Sequence, residues 1–221
     1  MSYVAKKLVI TGGPCGGKTS SMPFLSKKLT ALGYLPFIVP EAPTILINAG
    51  ITPTGGVVPL SVFQESVLEL FITLEAAGER AARESEHPKP VILCDRGIMD
   101  ALAYTPRNIF IEMMRSRGLD MDRSVADYMG MLATVINGLA LQDHAVFHLR
   151  SASVGAEQFY SPTGNPARLE SSIEEARAAD ERTLAAWVGH PRLTVIENDS
   201  FGFEGKLERL FQGVQESLCE T

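Results

Sequence analysis

The stretch Gly12-Gly13-Pro14-Cys15-Gly16-Gly17-Lys18-Thr19 constrains the fold of this chain more than any other part of its sequence. It follows the apolar run Leu8-Val9-Ile10, and its spacing is typical of a phosphate-binding loop between a strand and a helix. Glycines allow successive backbone N–H groups to turn toward a polyphosphate, at dihedral angles that side chains disfavour. The stretch therefore predicts a nucleotide-binding P-loop, with an ordinary glycine-rich turn as the alternative.

We expect the loop to bind a nucleoside triphosphate, either ATP or GTP. Lys18 is expected to reach the β- and γ-phosphates and to act in catalysis, and the Thr19 hydroxyl is expected to be a ligand of Mg²⁺. The helix that starts at Thr19 would direct the positive end of its dipole at the same anion. The predicted nucleotide-binding residues are Gly13, Pro14, Cys15, Gly16, Gly17, Lys18, Thr19 and Ser20.

Length and composition favour a single α/β domain over residues 1–221, since 45% of the 221 residues are apolar. The formal charge of −6 argues against binding to nucleic acid, so an anionic ligand must be held by a local basic site. The three scattered cysteines match neither a disulfide framework nor a zinc site. With neither a signal peptide nor an apolar run long enough to span a membrane, the sequence predicts a cytoplasmic protein.

Five predicted strands alternate with helices, which indicates a parallel, doubly wound sheet with helices on both faces. The strands are expected at residues 8–10, 35–39, 91–94, 145–149 and 193–196. In such a sheet ligands bind beyond the carboxyl ends of the strands. The side chains that follow these ends are therefore the first candidates for a functional site.

Two of these strand ends carry candidate catalytic residues. Glu41 follows the second strand and would face the same crevice as the P-loop, with a surface glutamate as the alternative. Asp95 closes the third strand as a Walker B carboxylate does, and we expect it to hold Mg²⁺ beside Thr19. The next residue, Arg96, is a candidate for binding the acceptor or the transferred phosphoryl group.

A long helix is predicted over residues 61–84, and it carries two stripes at helical spacing. The stripe expected to lie on the sheet is Phe63, Val67, Leu70, Leu74, Ala77 and Ala81. The stripe of Gln64, Leu68, Phe71 and Glu75 either lines a ligand cleft or forms a partly buried flank. In a cleft, the Gln64 amide would pair with a planar amide or base edge of the substrate. Residues 43–60 before this helix are expected to be a loop over the pocket or an ordinary connection.

The run from Arg150 to Arg168 has little periodicity and contains many turn residues. We expect residues 150–168 to form a lid that closes over the phosphates and excludes water, with an exposed loop as the alternative. Arg168 is the preferred cation for stabilising charge on the transferring group, and Arg150, Arg177 and Arg182 are weaker candidates. Further helices are predicted over residues 106–117, 123–141 and 168–188.

Five segments carry a resemblance to a known family. They are the P-loop segment at 12–20, Cys-Asp-Arg-Gly-Ile-Met-Asp at 94–100, Val-Gly-Ala-Glu-Gln-Phe-Tyr at 154–160, Arg-Leu-Glu at 168–170 and Trp-Val-Gly-His-Pro at 187–191. These residues resemble the NadR/Ttd-type AAA domain family, and most closely the nucleotide-binding half of the translocation-defect proteins. In those proteins a triphosphate-tunnel type domain typically follows. Because the present chain ends after one α/β unit, we expect no such domain here.

The resemblance implies a sheet order of 2-3-1-4-5 and a likeness to nucleoside and nucleotide kinases. By that likeness Glu41 looks like the acid that accepts the hydroxyl proton of the acceptor, and Asp95-Arg96 resembles the acid-arginine pair of deoxynucleoside kinases. Phe63-Gln64 resembles the pair that touches the acceptor base. The implied function is transfer of a phosphoryl group from ATP or GTP to a small hydroxyl acceptor, nucleoside-like because NadR-type relatives phosphorylate nicotinamide riboside. The alternative is a GTP- or ATP-binding switch or NTPase that acts through a protein or lipid partner.

Overall fold

The computed structural model of the chain describes residues 5–116, 144–161, 170 and 172–219. Its strands are β1 (Lys6–Thr11), β2 (Leu35–Val39), β3 (Pro90–Asp95), β4 (His144–Leu149) and β5 (Leu193–Ile196). They form one sheet in which every neighbouring pair is parallel. The order β2-β3-β1-β4-β5 confirms the predicted order 2-3-1-4-5. All five strands therefore end at the same edge of the sheet, where ligands of such folds bind.

Helices cover both faces of this sheet. The helices of the described residues are α1 (Lys18–Ala31), α2 (Ala42–Asn48), α3 (Leu60–Glu84), α4 (Asp100–Tyr104), α5 (Arg107–Arg115), α6 (Ile173–Trp187) and α7 (Gly202–Cys219). Helices α1 and α7 pack over Leu8, Ile10 and Phe147. Helices α3, α4 and α6 pack on the opposite face, over Val9 and Val146. Successive strand residues point to opposite faces, so this alternation confirms the doubly wound architecture.

Three helical segments begin or end differently from the prediction. Residues 43–60, predicted as a loop or connection, contain most of α2 and a 3-10 turn at Thr54–Gly56. Pro43 lies in the first turn of α2, where its missing N–H costs no hydrogen bond. The helix predicted at 106–117 is preceded by the separate helix α4, and α6 begins at Ile173 instead of residue 168. The helix predicted at 123–141 lies outside the described residues. None of the helices in the described ranges has the length and apolar composition needed to cross a bilayer.

The prediction of which face of α3 is buried was wrong in the second half of the helix. Phe63 and Val67 are buried as expected, but Ala77 and Ala81 are exposed. The other stripe is buried throughout, at Gln64, Leu68, Phe71 and Glu75. The two stripes have the same spacing, so helical periodicity alone does not decide which of them is buried. At its start α3 buries members of both stripes, and toward its end only the second stripe stays buried.

Candidate nucleotide-binding site

The P-loop connects the carboxyl end of β1 directly to α1. Gly12, Cys15 and Gly17 have φ angles of 135°, 54° and 96°, which most side chains disfavour. Gly12 and Gly16 also lie against the end of β4, where an added Cβ would be 2.1 Å and 2.6 Å from the carbonyl oxygen of Leu149. The motif therefore needs these two glycines because a neighbouring backbone lies against them, a requirement that the motif spacing alone does not reveal.

Lys18 is buried beneath the loop. Its Nζ donates hydrogen bonds to the carbonyl oxygens of Gly12 at 2.7 Å and Gly13 at 2.8 Å. Burial, together with the nearby Arg96 guanidinium, lowers the pKa of Lys18 to about 8. An anion bound beside the amine would favour its charged form and raise this pKa again.

A cavity of about 590 Å³ opens in front of the P-loop and extends toward α2, α3 and α4. One side is lined by the loop and the first turn of α1, from Pro14 to Ser20. The far side is lined by residues that include Glu41, Gln64, Phe71, Arg96 and Tyr104. The structure thus brings residues 14–20 of the predicted donor side and Glu41, Gln64 and Arg96 of the predicted acceptor side to one cavity, whose volume lies in the usual range for small-molecule sites. Gly13 and Asp95 are not among the lining residues.

Glu41 and Arg96 form an ion pair on the far side of the cavity. Arg96 Nε donates to Glu41 Oε1 at 2.5 Å, and Thr44 Oγ1 donates to Glu41 Oε2 at 2.6 Å. Burial alone would raise the pKa of Glu41, but Arg96 and Thr44 outweigh burial and hold the pKa below its usual value. Glu41 is therefore a carboxylate at neutral pH, which is the state in which it can accept a proton.

Arg96 is held in a strained but well supported position. Its φ of 67° is unusual for a residue with a side chain, and Cys15 is the other such residue in the described part of the chain. Both lie at the cavity, which is where backbone strain commonly concentrates. The guanidinium donates to the carbonyl oxygen of Gly12 at 3.3 Å and lies 5.5 Å from the ring centroid of Tyr104.

Asp100 is a site residue to which the sequence analysis assigned no role. It is buried, and its carboxylate accepts hydrogen bonds from Thr11 Oγ1, from Gly97 N at 2.8 Å and from Arg96 at 3.5 Å. Asp100 thereby ties the end of β1 to the residue that pairs with Glu41. The sequence gives no clear signal for this contact, because Arg96 lies before α4 with a positive φ and the spacing rule for helical side chains does not apply to it.

Asp95 lies at the end of β3, in register with Ile10 of β1. Its Oδ1 is buried and has no hydrogen-bond partner, and burial together with the nearby Glu41 carboxylate raises the pKa of Asp95 to about 6. The described residues contain no group of three or more His, Cys, Asp or Glu side chains able to hold a metal. Thr19 lines the cavity and Asp95 carries an oxygen with no partner among the described residues, so these two are the residues that would hold Mg²⁺ beside a bound polyphosphate.

The predicted lid at 150–168 is described as far as residue 161, and Arg168 lies outside the described residues. The three weaker candidates for the lid cation bind other groups. Arg150 pairs with Asp180, Glu181 and Glu197, Arg177 binds Ser153 and Glu157, and Arg182 donates to the carbonyl oxygen of Ala103. Glu170, which was not predicted as a site residue, lines the cavity.

Comparisons with known proteins agree with this geometry. A family model described as an AAA domain matches residues 7–202. The structure of the NadR protein in complex with NAD and AMP-PNP shares the fold with a TM-score of 0.60 at 10% identity. The structure of the NadR protein in complex with NR has a TM-score of 0.59 at 12% identity. Both matches cover 99% of this chain but only 51% and 52% of the NadR chains, so the chain spans about half their length. At such low identity the likeness establishes the P-loop NTPase fold alone.

Proposed function

The chain belongs to the AAA domain family, and from this premise we propose that it is a small-molecule kinase. It would transfer the γ-phosphoryl group of ATP or GTP to a hydroxyl group of a nucleoside-like acceptor. The observation that carries this proposal is the Glu41–Arg96 pair in the same cavity as the P-loop. A carboxylate facing the phosphates is useful for transfer to a hydroxyl, and nucleotide binding alone does not need it. A cytoplasmic location, where ATP and GTP are available, is part of the proposal.

In the proposed reaction the acceptor hydroxyl oxygen forms a bond to the γ-phosphorus, and the bond from this phosphorus to the β–γ bridging oxygen breaks. The nucleoside diphosphate leaves with the electron pair, and Glu41 accepts the hydroxyl proton. The lowered pKa of Glu41 is compatible with this role, because the transition state of phosphoryl transfer is loose and needs little help from a strong base. Arg96 keeps Glu41 charged and oriented until the proton is transferred.

Charge on the transferred group is stabilised in this scheme by Lys18 and by Arg168, which remains the predicted lid cation. Thr19 and Asp95 would hold Mg²⁺, which when bound neutralises charge on the β- and γ-phosphates. The protein supplies position and electrostatics, which account for most of the catalysis of phosphoryl transfer.

The acceptor side of the cavity supports a planar ring as part of the acceptor. Gln64 is only 4% exposed, and its amide makes no hydrogen bond with any described residue. It lines the cavity together with Phe71 and Tyr104. The Gln64 amide can offer a ligand both a donor and an acceptor, which is what the edge of a planar amide or base requires. The NadR complex with NR is a precedent for a ring-bearing ligand on this fold.

The test is acceptor-stimulated turnover in a Glu41→Gln variant. Purified protein is assayed with MgATP and MgGTP and a panel of nucleosides that includes nicotinamide riboside. We expect one acceptor to raise turnover well above background, and Glu41→Gln to reduce that rise by about 100-fold or more while changing the Kd for nucleotide less than twofold. The control is Glu86→Gln, which changes an exposed glutamate outside the cavity and should retain full activity.

Two outcomes would contradict the proposal, one for the role of Glu41 and one for the kinase itself. Unchanged stimulated turnover in Glu41→Gln would remove Glu41 from the mechanism. Turnover that no acceptor stimulates, together with binding to a protein or lipid that depends on the bound nucleotide, would favour the switch.

A further inference from the structure

Asp180 lies on the buried face of α6 and is fully enclosed. Its Oδ1 accepts hydrogen bonds from Gly13 N at 2.9 Å, from Ser151 N at 3.0 Å and from His148 Nε2 at 3.1 Å. Its Oδ2 accepts a hydrogen bond from Arg150 at 3.1 Å. One carboxylate therefore joins the P-loop, the end of β4 and the start of the predicted lid.

We propose that Asp180 is the positioning residue of the P-loop. It fixes Gly13 relative to the segment that begins at Arg150, so that the loop amides face the polyphosphate before the nucleotide binds. This inference rests on the proposed function only in that the loop must bind a nucleoside triphosphate. Asp180 acts through Gly13 and does not touch the phosphates.

Asp180 packs so closely against Gly13 that a side chain at position 13 would not fit. A Cβ added to Gly13 would lie 2.6 Å from the Cβ of Asp180 and 2.8 Å from its Cα. Two further hydrogen bonds hold the same segment against the loop, from Ser151 Oγ to the carbonyl oxygen of Pro14 and from Ala152 N to that of Cys15. The residues after β4 thus hold the P-loop at several points. Asp180 is the side chain that binds both the loop, at Gly13, and the segment after β4, at Ser151.

Charge makes this contact strong. Burial would raise the pKa of Asp180, but the hydrogen bonds from His148, the Gly13 amide and Arg150 outweigh burial and leave the pKa below its usual value. Because an ionised carboxylate only accepts hydrogen bonds, all four groups donate to it. Hydrogen bonds to a charged acceptor are about twice as strong as those between neutral groups.

Helix α6 is also anchored to the acceptor side of the cavity. Arg182 Nε donates to the carbonyl oxygen of Ala103 in α4 at 3.1 Å. Helix α4 carries Asp100 and Tyr104, which line the cavity. Asp180 therefore ties the phosphate loop to the helix that also bounds the acceptor side.

The first test compares Asp180→Asn with Glu181→Gln as the matched control. An asparagine has one N–H₂ group in place of an acceptor oxygen, so a donor would face either Arg150 or the backbone amides. Glu181 is the next residue of the same helix, also pairs with Arg150, and is exposed. Calorimetry with MgATP and MgGTP, well below the melting temperature, should show about tenfold weaker binding for Asp180→Asn and less than a twofold change for Glu181→Gln.

The second test measures amide hydrogen exchange by NMR in the protein without nucleotide. We expect slow exchange at Gly13 and Ser151 in the wild type and faster exchange at these two amides in Asp180→Asn, with the amides of β1 and α7 unchanged. A purely structural role would lower the melting temperature without changing nucleotide affinity in the cold. Affinity within twofold of the wild type, or unprotected exchange at Gly13 in the wild type, would overturn the proposal.

The two tests remain informative if one of them fails. If Asp180→Asn does not fold, the exchange rate of the Gly13 amide in the wild type still tests the proposal: slow exchange supports it and unprotected exchange overturns it. Should the wild type bind neither MgATP nor MgGTP, the proposed kinase fails, whereas slow Gly13 exchange that is lost in Asp180→Asn would still support the positioning role.

Discussion

At the scale of single residues, the cavity concentrates charges that compensate one another in a small volume. Arg96 pairs with Glu41 and Asp100, while Lys18 donates to the backbone carbonyl oxygens of Gly12 and Gly13. Asp95 has an oxygen without a partner, and its raised pKa reflects burial beside another carboxylate. The ionised form of Asp95 is therefore less stable in the folded protein than in water. Such a cost is common for a group that is placed to bind a cation.

Replacing Asp95 should stabilise the protein and do so in a pH-dependent way. The folded pKa of about 6 exceeds the ordinary value of 3.8, so the fold binds this proton more tightly than the unfolded chain does and loses stability as pH rises from about 4 to 6. We expect Asp95→Asn to raise the free energy of unfolding by about 1 to 3 kcal/mol at pH 7.5 and by roughly half as much at pH 5. Urea denaturation at the two pH values, with Glu86→Gln as control, measures this difference. A loss of stability at pH 7.5 would show that the carboxylate is satisfied in the fold.

At the scale of elements, α3 serves two purposes along its length. Its first half brings Gln64 to the cavity, and its second half carries a buried ion cluster. In that cluster Lys7 Nζ lies 2.7 Å from Glu75 Oε2 and 2.6 Å from Glu79 Oε1. Glu75 Oε1 also accepts a hydrogen bond from Ile98 N at 3.2 Å, so the helix is joined both to β1 and to the turn that follows Arg96.

Removing Glu75 should destabilise the whole domain. Glu75→Ala leaves the Ile98 amide without an acceptor and the buried Lys7 with Glu79 alone, so we expect a loss of about 2 to 4 kcal/mol in the free energy of unfolding. Glu84→Ala, at an exposed position of the same helix, should change it by less than about 0.5 kcal/mol. Equilibrium urea unfolding measures both. A loss below about 1 kcal/mol for Glu75→Ala would mean that Glu79 compensates the charge of Lys7.

At the scale of the whole molecule, four neighbouring strands lead into residues of the candidate site at the carboxyl edge of the sheet. β1 leads into the P-loop, β2 into Glu41, β3 into Asp95 and Arg96, and β4 into the segment held by Asp180. A ligand bound there contacts elements from most of the sheet. Binding should therefore stabilise the fold as a unit, because the ligand binds the folded state and not the unfolded chain.

Magnesium and nucleotide should raise the melting temperature of the protein. At a ligand concentration of 100 times Kd the gain is about 2.7 kcal/mol, or roughly 5 to 10 °C for a chain of this size. Lys18→Met should abolish the shift, whereas Lys27→Met, exposed on the same helix, should keep it. Differential scanning calorimetry with MgATP and MgGTP measures the shift. An equal shift in Lys18→Met would place the nucleotide away from the P-loop.

What the sequence determined by itself is local. The P-loop, the five strands and the candidate residues at their ends follow from spacing and apolar runs, because backbone conformation and the alternation of buried faces depend on neighbouring residues. The tertiary structure alone decided the pairing of Arg96 with Glu41 across 55 positions and of Gly13 with Asp180 across 167. It also decided which stripe of α3 stays buried along the helix, since two stripes of the same spacing cannot be told apart by periodicity. Such contacts depend on how whole elements pack, and no local pattern encodes the distance between side chains on different elements.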